Sequence, residues 1–413
     1  MSDAAQSQNP RDLIDYPMID ADCHYYEPDD CYTRHMEARF RDDAIMVVRG
    51  ITKHAQVHFR GERVGFFAAP PGEHAGKPGS YKAFYENKNH SGAHILAADP
   101  ISCFDLPESM ERDTRLTWLD AHNVEGGIFL PSLGVGVEMA LRDAGPEVVM
   151  ANHRAFNQWI QDDWGWDYKN RIFSSAQLSL VDLDLAVMEL ERVLKQGARL
   201  VNLIPGPVMG RSPADPYFDP FWARCEEAGI PVAFHLGNAG FEELVSAAWG
   251  ENPRPQHHRV TAFQHMIGMM ERPVTDTLAA LIMHNLFGRF PKLRVLSIEN
   301  GSSWVKPLLE RLDKAAKIAG TNFTYGPLNY GSLEEKPSRI FLDRIRVCPF
   351  PEDNIPELIE AVGPDVVIFG SDWPHPEALA DPIEFADGLG GLDYAEVRRV
   401  MRSNTAAILG LDA

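Results

Sequence analysis

The chain has 413 residues, of which 45% are hydrophobic and 24% charged, a globular composition that excludes a largely disordered protein. Its net charge of −20, from 59 acidic and 39 basic residues, makes nucleic acid and anionic membrane surfaces unfavourable partners. The five cysteines form no Cys-x-x-Cys pair, the first residues lack a signal-peptide profile, and no apolar run approaches the roughly 20 residues of a membrane span. We therefore expect a cytoplasmic protein that acts on a small molecule, with the oligomeric state open between a monomer and a homodimer.

Short apolar runs recur along the chain and alternate with amphipathic stretches. Eight runs have the length and the β-branched content of strands buried on both faces: 17–22, 124–130, 172–178, 198–204, 231–235, 293–299, 345–348 and 366–371. Helical patterns lie between them, as at 183–196, 300–317 and 356–362. The alternation predicts an α/β fold, a (β/α)8 TIM barrel that forms one domain over residues 1–413.

Three polar segments do not fit the strand–helix repeat. The longest, residues 29–115, is an insertion after the first strand, and we interpret it as a lid over the barrel mouth. The other two, 205–216 and 238–271, follow the fourth and fifth strands. Since barrel enzymes build their sites from the loops after the strands, we interpret these two as pocket walls.

Ionisable residues follow three of the predicted strands. Asp22 and His24 end the first strand and, being two residues apart, project from the same face. His235 ends the fifth strand and Asp372 follows the eighth. Taken singly, such an Asp is more often a helix cap and such a His a core residue, but in a closed barrel all four face one cavity. Together they predict a site for one divalent ion, with zinc as the first choice and manganese or iron as alternatives.

Four segments resemble the amidohydrolase superfamily, in the amidohydrolase-related group that includes aminocarboxymuconate-semialdehyde-decarboxylase-like proteins. They are IDADCHYYEP (19–28), FHLGN (234–238), LFGRFPKLRVLSIENGSSWV (286–305) and FGSDWPHPE (369–377). The resemblance implies that Asp22 and His24 stand where the family usually has a His-x-His or Glu-x-His metal pair. It further implies that His235 is the fifth-strand ligand and that Asp372 closes the metal site and handles the proton of the activated water.

The sequence departs from this family at two strands. Decarboxylases of the family carry a catalytic His after the sixth strand, where this chain has Glu299. The fourth strand ends at 202–205 without the Lys that bridges two metals in binuclear members, which implies a single ion.

These features favour a metal-dependent hydrolase that uses metal-activated water on an amide, ester, lactone or activated C–C bond. The first alternative is a non-oxidative decarboxylase of an aromatic or enoic acid. The second is a catalytically silent barrel that binds a ligand.

Several further residues are candidates for the site. We expect Asp372 to act as a general base as well as a ligand. Glu299 is either a second acid/base or a residue that orients His235 or His284. Contacts with the substrate are predicted for Glu27, Tyr25, His375 and His284.

Overall fold

The computed structural model describes residues 9–51, 55–64, 75–82, 100–255, 259–269, 271–319 and 333–412. Its centre is a ring of parallel strands. In chain order these are β1 Met18–Tyr25, β2 Val124–Pro131, β3 Ile172–Ser174 continued by Ala176–Gln177, β4 Val201–Leu203, β5 Val232–His235, β6 Val295–Ile298 and β7 Ile345–Val347.

The eighth position of the ring is filled by residues 366–373, which form bridges instead of a regular strand. Val367 bridges Val347 of β7, and Trp373 bridges Cys23 of β1, both in parallel orientation. Since the other strands pair in the order β1 to β3 and β3 to β7, these bridges close the ring. The prediction of a TIM barrel is confirmed, although the eighth element is less regular than its sequence indicates.

Helices surround the ring. The α-helices are Arg112–Ala121, Val137–Ala140, Pro146–Asp163, Leu183–Lys195, Asp219–Ala228, Phe241–Leu244, Ala262–Gln264, Glu271–Met283, Leu286–Arg289, Val305–Ala319, Pro337–Arg344, Ile355–Val362, Tyr394–Arg398 and Asn404–Leu409. Shorter 3-10 helices span Pro10–Leu13, Ala38–Asp43, Cys103–Asp105, Pro107–Ser109, Gly134–Gly136, Pro216–Phe218, Ser246–Trp249 and Pro382–Leu389, and π-helical turns span His265–Met269 and Arg399–Ser403. No helix within the described ranges is both long enough and apolar enough to cross a membrane.

The predicted helix limits hold where capping residues define them. Asp182 caps Leu183–Lys195 by accepting a hydrogen bond from the N–H of Leu185 at 2.9 Å. The helix predicted from residue 300 begins only at Val305, because Glu299 and Gly301 have left-handed φ angles of 56° and 64°. Those angles turn the chain sharply at the end of β6.

Apolar side chains fill the interior of the ring below the predicted site. This inner core consists of Ile19, Ala21, Ile128, Leu130, Phe173, Leu200, Ala233, Leu296, Ile298, Cys348 and Ile368, together with Ala406 and Leu409 of the last helix. A larger core lies between the strands and the surrounding helices. The polar residues at the strand ends therefore lie against an apolar layer, where charge interactions are stronger than in water.

The described part of the insertion contains two small antiparallel sheets. One is formed by Met46–Val48, Gln56–Phe59 and Glu62–Arg63, the other by Ala75–Gly76 and Pro100–Ile101. Its contacts reach the barrel: the N–H of Tyr81 donates to the carbonyl of Pro376 at 3.0 Å. Pro376 lies just beyond the eighth segment.

Candidate metal centre

A bulge in β1 turns Asp22 and His24 towards the interior of the barrel. Ile19 belongs to the inner core, so strict alternation from Ile19 would direct Asp22 and His24 away from it. Between Asp20 and Cys23, however, β1 advances three residues while its partner β2 advances two. The extra residue reverses the alternation and places both predicted ligands on the inner face.

Asp20 fixes this bulge to the eighth segment. Its Oδ1 accepts hydrogen bonds from the N–H groups of Asp22 and Ser371, each at 3.0 Å. Burial raises the pKa of Asp20 to about 7 despite these bonds. The eighth segment can pack this closely against Asp22 only with glycine at position 370, since a side-chain carbon there would lie 2.6 Å from Cβ of Asp22. Asp20 is thus a positioning residue for the site, which the sequence reading missed.

We expect Asp20→Ala to lower both stability and metal affinity. It leaves two buried N–H groups without an acceptor, which costs about 1–3 kcal/mol of the free energy of unfolding, and it frees Asp22 to move. Denaturant unfolding and metal titration measure the two effects. Asp42→Ala, at an exposed aspartate, is the control. Unchanged metal affinity in Asp20→Ala would contradict the positioning role.

Four ligand atoms converge above the inner core. They belong to Asp22, His24, His235 and Glu299 and lie within 4.8 Å of one another. Nε2 of His24 is 3.2 Å from Oδ1 of Asp22 and 3.3 Å from Nε2 of His235. Nε2 of His235 is 3.6 Å from Oδ1 of Asp22 and 2.9 Å from Oε2 of Glu299. Three of the four predicted ligands thus meet, and Glu299 joins them.

The arrangement fits a divalent ion. Two ligand atoms with metal bonds of about 2.0–2.2 Å lie roughly 3–3.5 Å apart, close to the separations seen here. Oδ1 of Asp22 is buried and has no hydrogen-bond donor among the described residues. Nδ1 of His235 lies 2.7 Å from the carbonyl of Leu236 and donates to it, which leaves Nε2 to coordinate.

The electrostatics of the cluster favour a cation. Burial and the neighbouring His375 lower the pKa of His24 to about 3, so its imidazole is neutral. Burial also opposes charge on His235, but Glu299 and Asp22 outweigh it and raise the pKa of His235 well above its ordinary value. Burial would raise the pKa of Asp22, yet the two histidines hold it below its usual range. The carboxylates thus stabilise positive charge at the centre of the cluster.

Asp372 adjoins the cluster and is bonded to His375. It lies near the end of the eighth segment with a left-handed φ of 59°, and its Oδ1 lies 3.3 Å from Nε2 of His24. The same oxygen is 2.6 Å from Nδ1 of His375, whose Nε2 is 2.8 Å from Oγ of Ser132. The Ser132 hydroxyl donates to the carbonyl of Tyr25, so its oxygen accepts from His375. The predicted ligand Asp372 therefore adjoins the cluster at His24.

Asp372 and His375 affect each other's pKa. Burial raises the pKa of Asp372 well above its usual range. Burial alone would lower the pKa of His375, but the carboxylate of Asp372 outweighs it and raises the pKa to about 10. The protonated imidazole therefore donates to Asp372 over a short, charge-assisted hydrogen bond, and the raised pKa suits Asp372 to accept a proton.

Glu299 lies on the ligand side of His235. Its carboxylate contacts Nε2, whereas Nδ1 of that ring is occupied by the carbonyl of Leu236. An outer residue that merely orients the imidazole would contact Nδ1. Burial raises the pKa of Glu299, as expected for a carboxyl in this dry position.

Three further residues were predicted to contact the substrate: Glu27, Tyr25 and His284. Glu27 shapes the loop after β2: its Oε1 accepts the N–H groups of Ser132, Leu133 and Gly134 at 2.9, 2.8 and 3.3 Å. Tyr25 is one residue beyond His24 and so faces the outer core.

Two of these predicted contacts are placed away from the ligand atoms. The ring of Tyr25 stacks on Trp164 with centroids 5.2 Å apart. His284 follows the helix Glu271–Met283, and its charged neighbours are Asp215 and Arg289. Neither side chain is among the described residues whose ligand atoms form the cluster.

Besides Asp20, two residues beside the site were missed by sequence reasoning. Arg115 is fully buried and donates from Nη2 to the carbonyl of His24 at 2.6 Å, which supports the end of β1. His153 lines a small cavity next to His235. Both lie on helices whose apolar spacing indicates only packing against the barrel. The one sequence signal that could have identified them is a polar residue at a position where the helical pattern predicts a buried apolar one.

A parallel barrel whose strand ends present a buried cluster of imidazoles and carboxylates is the arrangement of metal-dependent TIM-barrel enzymes. The chain belongs to the amidohydrolase family, whose family model matches residues 19–411. The resemblance identified from the sequence motifs is confirmed.

Solved structures of similar proteins support the same fold. An amidohydrolase from Mycobacterium avium subsp. paratuberculosis K-10 is 36% identical with a TM-score of 0.84, covering 96% of this chain and 100% of that one. The 5-carboxyvanillate decarboxylase LigW from Sphingomonas paucimobilis is 19% identical with a TM-score of 0.54, covering 72% of this chain and 83% of that one. A dihydroxybenzoic acid decarboxylase from Polaromonas sp. JS666, with bound manganese and 2-nitroresorcinol, is 15% identical with a TM-score of 0.58, covering 96% and 97%.

Proposed function

We propose that the protein is a metal-dependent hydrolase that cleaves an amide, ester, lactone or activated C–C bond in a small, uncharged carbonyl compound. Its ion would be held by Asp22, His24 and His235, with Glu299 and Asp372 completing the donor set. The observation that carries the proposal is Glu299, which lies 2.9 Å from the ligand nitrogen of His235. At this strand end the decarboxylases that the sequence resembles carry a His.

The charge of the site supports an uncharged substrate. Three carboxylates surround the centre, and no Lys or Arg is found among the described residues that form the cluster or line the adjoining cavity. A carboxylic-acid substrate would bring another negative charge into this setting, and among the described residues of the cluster only His375, together with the bound ion, could offset it. A neutral carbonyl compound meets no such repulsion.

The chain's own residues supply proton transfer and orientation. A divalent ion, when bound, polarises a substrate carbonyl and lowers the pKa of water at the site. Asp372 accepts the proton of the attacking water and returns it to the leaving group, while the N–H at Nδ1 of His375 donates to Oδ1 and holds the carboxylate in place. Ser132 holds the far nitrogen of His375, which keeps the imidazole aligned with Asp372.

Decarboxylation is the second candidate. His375 is favoured as a cation beside the cluster, so it can receive a carboxylate or donate a proton to the reacting carbon. Two of the similar structures are decarboxylases by name, at identities of 19% and 15%.

One experiment distinguishes the two reactions. The metal-loaded enzyme is incubated in ¹⁸O-labelled water with a panel of esters, anilides, lactones and hydroxybenzoates. Hydrolysis places ¹⁸O in the product carboxylate, whereas decarboxylation releases CO2 from the hydroxybenzoates. We expect ¹⁸O incorporation that the metal-depleted protein does not show. CO2 release with no labelled product would overturn the hydrolase proposal.

We further propose that the chain binds one divalent ion, zinc first and manganese second. Imidazoles suit zinc, while the additional carboxylates also suit manganese, the ion in the Polaromonas sp. JS666 structure. Elemental analysis of protein from zinc- and manganese-supplemented cultures should give about one ion per chain. Two ions per chain would contradict the single site, and none in either culture would favour the catalytically silent alternative.

We also propose that the insertion 29–115 is a lid. Its described part packs against the loop that follows Asp372 and His375: a side-chain carbon at Gly79 would meet the backbone of Ala380, and Tyr81 bonds to Pro376. Replacing residues 53–88 with a short Gly/Ser linker should leave a folded barrel by circular dichroism but impair turnover, because water then enters the site. Unchanged turnover would show that the insertion is not needed for activity and would contradict its role as a lid. The homodimer and the cytoplasmic location stay predictions.

A further inference from the structure

His153 occupies a core position of its helix. On Pro146–Asp163 it shares a buried stripe with Val149, Phe156 and Ile160, at spacings of four, three and four residues. Its side chain is only 3% exposed, and both ring nitrogens lack a hydrogen-bond partner in the described part of the chain. Such a buried, unpaired imidazole is unfavourable for folding, so its presence calls for another explanation.

The imidazole of His153 lines a cavity that it shares with the metal ligand His235. This cavity has a volume of about 10 Å³, roughly the room of one water molecule. Two other polar side chains line it, and they are committed to each other: Asn202 donates to Oε1 of Gln177 at 2.9 Å. Asn202 also accepts from the N–H of His235 at 3.2 Å, and Gln177 donates to the carbonyl of Ser175 at 3.1 Å.

His153 is not needed to anchor its helix. Asn152, the preceding residue, accepts from the N–H of Ile45 at 2.9 Å and so joins the helix to the insertion. Asn157 donates to the carbonyl of Gln177 at 2.9 Å and so joins it to β3. These two amides anchor the helix on either side of His153, whose own ring nitrogens have no partner among the described residues.

The cavity favours an uncharged polar group. Its remaining walls include Val135, Leu178 and Ile204, and no Lys, Arg, Asp or Glu is among the described residues lining it. Burial lowers the pKa of His153 to about 4, so the ring is neutral and offers one donor and one acceptor. A hydroxyl or carbonyl group satisfies such a ring, whereas a second carboxylate would lack a counter-charge.

We propose that His153 is a substrate-binding residue that hydrogen-bonds one hydroxyl or carbonyl group on the non-reacting part of the substrate. The inference rests on the proposed catalytic function of the adjoining metal centre. It narrows the substrate class to compact molecules that carry one uncharged polar group beside the carbonyl that reacts.

The test compares two protein variants with two substrates. The substrates are a hydroxyl-bearing compound turned over in the panel and its analogue with hydrogen in place of the hydroxyl. His153→Leu should lower kcat/KM for the hydroxyl-bearing compound by roughly 10–100-fold, but change it less than about 3-fold for the analogue. His153→Gln, which keeps hydrogen-bonding atoms, should recover part of the loss. Metal content should equal that of the unaltered chain, and His265→Leu, at an exposed histidine, is the matched control.

A second readout needs no substrate. Because His153→Leu removes an unpaired polar group from an apolar position, the Tm of the metal-loaded protein should stay the same or rise by about 1–3 °C. A fall of more than about 5 °C, or equal losses of kcat/KM on both substrates, would make His153 a structural residue and overturn the proposal.

Failure of the hydrolase proposal gives a different result. If the panel shows CO2 release, the same substrate comparison is run on that reaction, and the difference between the two compounds again decides the role of His153. If nothing is turned over, the Tm comparison decides alone.

Discussion

Asp372→Asn should keep most of its metal and lose turnover by roughly 10²–10⁴-fold, the usual contribution of a positioned general base. The amide preserves the size of the side chain and one carbonyl oxygen, but it cannot accept a proton at neutral pH. The structure adds a reason for metal retention. Four other ligand atoms, from Asp22, His24, His235 and Glu299, already lie within 4.8 Å of one another without Asp372.

The measurement is metal content beside turnover for Asp372→Asn and a matched control. Asp365→Asn makes the same chemical change at an exposed aspartate that immediately precedes the eighth segment, so its activity should be normal. A near-normal rate in Asp372→Asn would rule out proton transfer through this carboxylate. Loss of the metal together with the rate would instead show that Asp372 serves mainly as a ligand.

The sequence predicted the fold well because the barrel strands are short, apolar and regularly spaced. It placed Asp22 and His24 on one face correctly, since any two residues two apart along a strand share a face. It could not show that this face is the inner one. That depends on the bulge between Asp20 and Cys23, which is set by pairing with β2.

Other parts of the site depend on contacts that no local pattern records. The left-handed φ of Glu299 turns its carboxylate to Nε2 of His235. The sequence offered Glu299 as an acid/base or as an orienting residue, whereas the structure brings it next to the predicted ligands. Tyr25 follows His24 directly, and alternation alone should have placed it in the outer core against Trp164. The sequence indicates only a packing role for His153, because the cavity beside it is formed only when four distant segments meet.

The final prediction ranks the ligands by metal affinity. His235→Ala should weaken binding by more than roughly 100-fold, because loss of an outer hydrogen-bond partner alone costs roughly 10–100-fold and here a ligand itself is removed. Activity should fall with the metal. Glu299→Gln keeps the shape and one carbonyl oxygen, so its affinity should fall by a smaller factor, roughly 10-fold.

Competition with a chelator measures these affinities for zinc and for manganese separately. His265→Ala, at an exposed histidine outside the cluster, is the control and should bind like the unaltered chain. Full metal content in His235→Ala would disprove the assigned site. Wild-type affinity and rate in Glu299→Gln would remove Glu299 from the donor set, and with it the observation on which the hydrolase proposal depends. Since that carboxylate stands where the decarboxylases that the sequence resembles have a His, decarboxylation would then become the better reading of the same cluster.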